Sequence, residues 1–144
     1  MSKSSPSQSA NAAPLLRSIG VSGFKSIKTF TEIQLGNLTI LAGKNSSGKS
    51  AIMQPLLLMK QTIHGDYDHG PFKLDGPHLE FTRTNQFFSA AQDNADVRRM
   101  TVLIGYDPPH DSAKFTFSQQ GQMAIEVESI YISNRDGRNG SIIK

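Results

Sequence analysis

Gly43, Lys44, Asn45, Ser46, Ser47, Gly48, Lys49 and Ser50 satisfy the pattern G-x-x-x-x-G-K-[ST]. The residue types suit the gripping of a phosphate chain. Glycines let the backbone N–H groups of a tight turn converge on one concavity, and a helix beginning there aims its positive end at the anion. Lys49 is spaced to reach β- and γ-phosphate oxygens, and the Ser50 hydroxyl to ligate Mg²⁺. Ala51 follows in the same helical turn and joins the predicted cradle.

Such a loop works only between a strand and a helix, and the flanks have both patterns. Short period-two runs predict strands near residues 15–22, 28–35 and 38–42, with Gly36-Asn37 as a hairpin turn between the last two. After the loop, Ile52, Leu56, Met59 and Ile63 recur at spacings of four, three and four, which predicts one buried helical face ending near His64-Gly65. Pro55 lies inside that helix. Lacking an N–H and crowding the carbonyl of Ala51, it predicts a kink or a loosened first turn in a helix that continues beyond it.

Downstream, the pattern is β-like. "FKLDGPHLEFT" predicts two strands around Asp75-Gly76-Pro77, and "NQFFSAAQ" a short helix or loop. Residues 97–107, 113–119 and 122–134 predict an antiparallel meander, in which Met123, Ile125 and Val127 alternate with Ala124, Glu126 and Glu128 as in a sheet with one wetted face. "GSIIK" reads as the start of an apolar element that is cut off. The Ser/Ala/Pro-rich residues 1–14 predict a disordered tail, and residues 15–144 one domain, with its β-rich segment from about residue 71.

The bulk composition narrows the classes. A net charge of +3 is too small an excess to define a nucleic-acid binder, and with no cysteine the chain has neither a disulfide framework nor a thiolate metal site. No apolar run approaches a bilayer-spanning length, and residues 1–14 lack the apolar core of a leader, so a cytoplasmic protein away from membranes is expected.

The stretch "LRSIGVSGFKSIKTFTEIQLGNLTILAGKNSSGKS" resembles the start of the ABC-type ATPase heads of the SMC/RecF/OLD-like AAA ATPase group. In that group a first strand leads to a "GFKSF"-like turn, a second strand ends in an "L.LG.LT.L.G" pattern, and "GPNGSGKS" or "GKNNSGKS" follows. The likeness is close from about Ile19 to Ile52, and Lys44 and Ser46 depart from the commonest residues of the motif. The resemblance implies an α/β P-loop fold of ABC-ATPase type, N-terminal half, this lobe itself being α+β with an antiparallel β-rich arm, binding ATP and Mg²⁺. It also implies closure of two heads as a homodimer or larger assembly, in DNA repair, other DNA transactions or anti-phage defence with DNA and a nuclease partner. An apolar strand ending in Asp-Glu, a "SGG"-type signature and a switch histidine belong to the C-terminal half of such heads and are not found in the sequence. The expectation is therefore an N-terminal lobe whose hydrolytic activity needs the other half, or a second chain supplying it. The alternative is a nucleotide-binding regulatory or dimerisation module without turnover.

By the same resemblance Gln86 is a candidate Q-loop residue, meeting Mg²⁺ and the attacking water, and the turn Phe24-Lys25-Ser26 is a candidate lining for the base or ribose. Each also has a plainer reading: Gln86 as a solvent-facing amide, Phe24 as core, and Lys25 as a solvated charge. "HGDYDH" (64–69) has metal-ligand residue types without a defined scaffold, and a polar loop explains it as well. Arg98, Arg99, Lys114, Arg135 and Arg138 form either a DNA-contact strip or a charged edge that discourages sheet pairing. A P-loop kinase would want an Arg-rich lid and a GTPase an Asn-Lys-x-Asp segment, and neither is present.

Overall fold

The computed structural model describes residues 15–45, 47–64, 71–83, 86–92, 95–107, 110–134 and 140–143. The expected tail at 1–14, Ser46, most of the "HGDYDH" segment, Arg135 and Arg138 lie outside the described residues. Six strands form one sheet: β1 (Leu16–Ser22), β2 (Thr31–Gln34), β3 (Val97–Tyr106), β4 (His110–Gln120), β5 (Glu126–Asn134) and β6 (Gly140–Ile143). Their order is β2-β1-β3-β4-β5-β6, and each neighbouring pair is antiparallel. The one α-helix among the described residues, α1 (Lys49–Ile63), joins the two halves of the sheet in sequence.

This is an α+β arrangement with an antiparallel sheet, as expected of the lobe. No parallel pair occurs among the described strands, and the downstream β segment is continuous with the N-terminal strands, because β3 pairs directly with β1. The pleat explains how one core results. Ile19 faces Ile104, Val21 faces Val102, and Met100 faces Phe117, so three registers place apolar side chains on one side of the sheet. All six are buried, together with Phe24, Ile52, Leu58, Phe72, Phe81 and Phe87.

Three local expectations change. Residues 38–42 are not a strand, and no hairpin joins them to β2: Leu38 is 81% and Ile40 79% exposed, while the Gly36 N–H is taken by the Thr39 hydroxyl at 3.0 Å. A period-two pattern forms a strand only where a neighbour supplies hydrogen-bond partners, and within the described residues none lies beside this segment. Helix α1 ends as expected with His64 as its C-cap, and it runs unbroken through Pro55. Its buried face, however, is Ala51, Ile52, Pro55, Leu58 and Gln61, with Ile63 77% exposed.

Gln61 explains the rotation. It is 3% exposed, and its amide donates to the carbonyls of Lys73 (2.6 Å) and Leu79 (3.0 Å) while accepting from the N–H groups of His78 (3.3 Å) and Leu79 (3.0 Å). A glutamine thus occupies the buried face because it satisfies the backbone of residues 73–79. That segment forms a tight turn closed by Phe81 N–H to Leu74 C=O at 2.9 Å and by one bridge between Asp75 and Glu80. The two expected strands do not develop, since Gln61 takes backbone groups that a ladder would have used. Ala90–Gln92 form the expected short helical turn, of 3₁₀ type.

Candidate functional site

Two chain segments meet at the start of α1. The first is the turn Gly23–Ile27, closed by reciprocal bonds between the backbones of Phe24 and Ile27 (3.0 and 2.8 Å). It is tied to the downstream segment by Lys25 N–H to Phe87 C=O (2.8 Å) and Ser89 N–H to Gly23 C=O (2.9 Å). Gly23 has φ +70°, and a Cβ there would run into the Arg99 carbonyl and the Gln92 amide, so only glycine fits. Lys25 carries φ 48°, a left-handed conformation that strains a residue with a side chain.

The second segment is the Gly-rich loop. Gly48 is the N-cap of α1 at φ 88°, and a Cβ on it would lie 3.3 Å from the Ser26 hydroxyl oxygen and 3.6 Å from Ile27. The turn and the loop are therefore packed against each other at the helix start, and glycine is required there for both backbone and space. Among the described residues no side chain caps this terminus, and its first turn contains no acidic residue. Its leading N–H groups and positive dipole end are left for an external anion.

Lys49 is held by its own loop. Its ammonium donates to the carbonyls of Gly43 and Lys44, both at 2.6 Å. The Ser47 hydroxyl accepts from it at 3.5 Å, so the loop itself engages all three N–H directions, and a phosphate would have to replace one of these partners. Lys25 supplies a second cation. Its ammonium lies 4.7 Å from the ring centre of Phe81 and 5.6 Å from that of Phe24, and burial holds its pKa below the ordinary lysine value.

A cavity of about 370 Å³ opens between these parts, lined by Lys25, Ser26, Asn45, Gly48, Lys49, Ser50, Ala51 and Gln54. It gathers most of the residues that the sequence singled out: both lysines, the Ser26 and Ser50 hydroxyls, and the loop backbone. Gly43 and Ser47 line an adjoining, more apolar space with Ile33, Ile40, Leu41 and Ile52, and Ser26, Gly48 and Lys49 border both. Lys44 is exposed, with its carbonyl turned to Lys49. Gln86 is exposed in the loop before Phe87, and it is not among the described residues lining either space.

Gln54 is the lining residue that the sequence reading passed over. The available signal was its spacing, because a residue four after Ser50 shares its helical face. The basic residues divide between the two sides of the sheet. Arg99 pairs with Glu128 at 2.8 Å, and the register places Lys114 on that same side. Arg98 instead lines a separate cavity of about 540 Å³ with Arg83 and Thr82, so adjacent arginines do not form one strip. No group of three or more His, Cys, Asp or Glu able to hold a metal occurs among the described residues, and no described helix is long and apolar enough to cross a membrane.

The arrangement has groups that could receive a phosphate: a helix terminus, loop amides, an ammonium held by the loop, a second desolvated ammonium, and a serine hydroxyl suited to a hard cation. Ser50 lines the cavity and is exposed, which suits a Mg²⁺ ion that takes most of its ligands from phosphate and water. Comparison with protein families matches residues 15–135 to the AAA ATPase domain. No curated protein and no solved structure gives a significant match.

Proposed function

The chain belongs to the AAA ATPase domain family, and from that premise we propose that it is the ATP·Mg²⁺-binding lobe of an SMC/RecF/OLD-like ATPase head. The observation that carries the reading is the pairing of the Lys49 ammonium, fixed at 2.6 Å on two loop carbonyls, with an uncapped helix terminus beside it. Lys49 holds the β- and γ-phosphates, the loop N–H groups and Ala51 hold the chain behind them, and Ser50 ligates Mg²⁺, which neutralises phosphate charge when bound. Lys25 and Ser26 complete the wall on the far side.

Binding is within reach of these residues, whereas hydrolysis needs more. Attack on the γ-phosphate requires a group that orients water and a charge that stabilises the transition state. Among the described residues no carboxylate lines the cavity beside Lys49. The complementary half of the head, or a second chain, supplies these groups. The exposed Leu38, Ile40 and Leu41, next to the loop, offer the apolar edge on which that half would pair. Closure of two such heads then couples ATP to a DNA transaction, to repair, or to anti-phage defence. The same carboxylate-free lining favours one further reading, a nucleotide-gated dimerisation module without turnover.

Calorimetry of the 144-residue chain with ATP and Mg²⁺ tests the proposal. Saturable binding that Lys49→Ala weakens at least tenfold, with negligible turnover, is the expected result. Robust Mg²⁺-dependent hydrolysis by this chain alone, abolished by Lys49→Ala, would overturn the division of labour between binding and cutting.

A further inference from the structure

The cavity of about 540 Å³ shares no described lining residue with the one beside Lys49. Three segments build it. Arg98 of β3 stands opposite Gln119 of β4, and the two-residue alternation puts both on the side of the sheet that carries Met100 and Phe117. That is the buried side. Arg98 is half-buried there, next along the sheet after the Met100–Phe117 pair, and Gln119 is 3% exposed, its amide donating to the Met123 carbonyl at 2.8 Å. The turn anchored by Gln61 brings Leu74, Thr82 and Arg83 to the same space. The turn between β4 and β5 closes it with Gln122 and with Gly121, whose N–H donates to the Asp96 carbonyl at 3.2 Å.

Two arginines from separate segments thus line one recess, and no carboxylate is among its described lining residues. Like charges on one wall repel, and an anion held between them turns that repulsion into attraction. Each guanidinium has five N–H donors in a planar fork, so one edge can serve an oxyanion while another keeps a protein partner. Thr82 and Gln122 add neutral donors. Arg99, one position on, faces the other side of the sheet and pairs with Glu128 instead.

We propose that this cavity binds a terminal phosphate group, a phosphomonoester carried by a small molecule or by the end of a nucleic-acid strand. Such a group has three free oxygens and about 1.5 to 2 negative charges at neutral pH, which two guanidinium forks and a hydroxyl can share. A carboxylate offers two oxygens and one charge, and so does a backbone diester. A diester also carries chain on both sides, whereas a recess walled by three segments takes an end. The volume leaves room for the sugar or other group to which the phosphate is attached.

The test is calorimetric titration, without Mg²⁺, of the 144-residue chain and of its Arg83→Gln, Arg83→Lys, Arg98→Gln and Lys49→Ala variants. The probes are ribose 5-phosphate, ribose, and a single-stranded octanucleotide with either a 5′-phosphate or a 5′-hydroxyl. Ribose 5-phosphate is expected to bind the wild type and Lys49→Ala alike, and ribose to bind neither. Each Arg→Gln change weakens that binding about tenfold, the size of one charge-assisted hydrogen bond, and Arg83→Lys, which keeps the charge without the fork, recovers part of the loss. An unchanged Tm in Arg83→Gln, whose side chain is exposed, separates lost contact from lost fold. Tighter binding of the 5′-phosphorylated octanucleotide than of ribose 5-phosphate identifies the strand end as the source, and equal affinity identifies a small phosphate ester; both support the site. Loss of binding in Lys49→Ala with none in the arginine variants overturns the proposal, because the phosphate is then held by the Gly-rich loop. Octanucleotide binding that ignores the 5′-phosphate and falls in the arginine variants also overturns it, in favour of backbone diesters. So does a failure of every phosphate probe to bind the wild type.

Discussion

Replacing Gln61 by leucine tests whether the helix that carries the phosphate loop also organises the far wall of the cavity. In the wild type the Gln61 amide makes four hydrogen bonds to the backbone of residues 73–79. Leucine has nearly the same volume and removes them all. At about 1 kcal/mol net for each bond, offset by about 1.5 kcal/mol for an apolar side chain in the same place, the loss comes to about 2.5 kcal/mol. An unfolding entropy of roughly 2.1 cal/mol/K per residue over 144 residues gives about 0.3 kcal/mol/K, so Tm should fall by about 8 °C. Urea titration supplies the free energy directly, with an unchanged slope showing that the folded and unfolded surfaces are comparable.

The variant should also weaken nucleotide binding, although Gln61 lies three turns from the loop. The turn it anchors carries Phe81, whose ring lies under the Lys25 ammonium. A released turn frees Lys25 to leave the cavity wall, and ATP affinity falls by a few-fold while Lys49 remains in place. Gln61→Glu separates shape from bonding, because it keeps the acceptors and aims an oxygen at two carbonyls where the amide donated. If Gln61→Leu unfolds within about 0.5 kcal/mol of the wild type, the four bonds do not hold the turn and the reasoning fails.

Other perturbations act closer to the ligand. Gly48→Ala forces a side chain into a left-handed residue 3.3 Å from the Ser26 oxygen, costing about 1–2 kcal/mol in strain; it should lower both Tm and ATP affinity, whereas Lys49→Ala should lower affinity with Tm within a few degrees of the wild type. Lys25 has its pKa lowered by burial, so between its folded value and 10.5 the unfolded chain binds more protons and stability rises with pH. Lys25→Met should flatten that alkaline rise in urea titrations, and a rise of equal slope in the variant would show that Lys25 is not its source. Leu38→Ser with Ile40→Ser changes residues that are 81% and 79% exposed. It should leave Tm almost unchanged while reducing self-association in sedimentation velocity, and a large fall in Tm would show that the edge is packed within the single chain.

The loop's candidate chemistry is readable in sequence because it is local. Glycines at 43 and 48, a lysine and a serine in succession, and a helix pattern behind them state a binding mechanism without reference to any distant residue. The limits of the helix and the antiparallel meander were legible for the same reason, since a cap, a turn and a two-residue alternation are each written within a few positions. The sheet order was not. Nothing in residues 16–22 announces that β1 lies between β2 and β3, because the β1–β3 pairing brings together residues 79 to 90 positions apart.

Sequence by itself determined which residues could grip a phosphate and where helix and turns would fall, because those properties depend on bond geometry over one or two turns of chain. Tertiary structure alone decided which face of α1 is buried, since a glutamine there has its polar groups satisfied by a turn 12 to 18 residues away. It decided that residues 38–42 stand exposed, because an apolar alternation becomes a strand only beside a partner. It also decided that Gln54, unremarkable by type, lines the cavity one turn beyond Ser50.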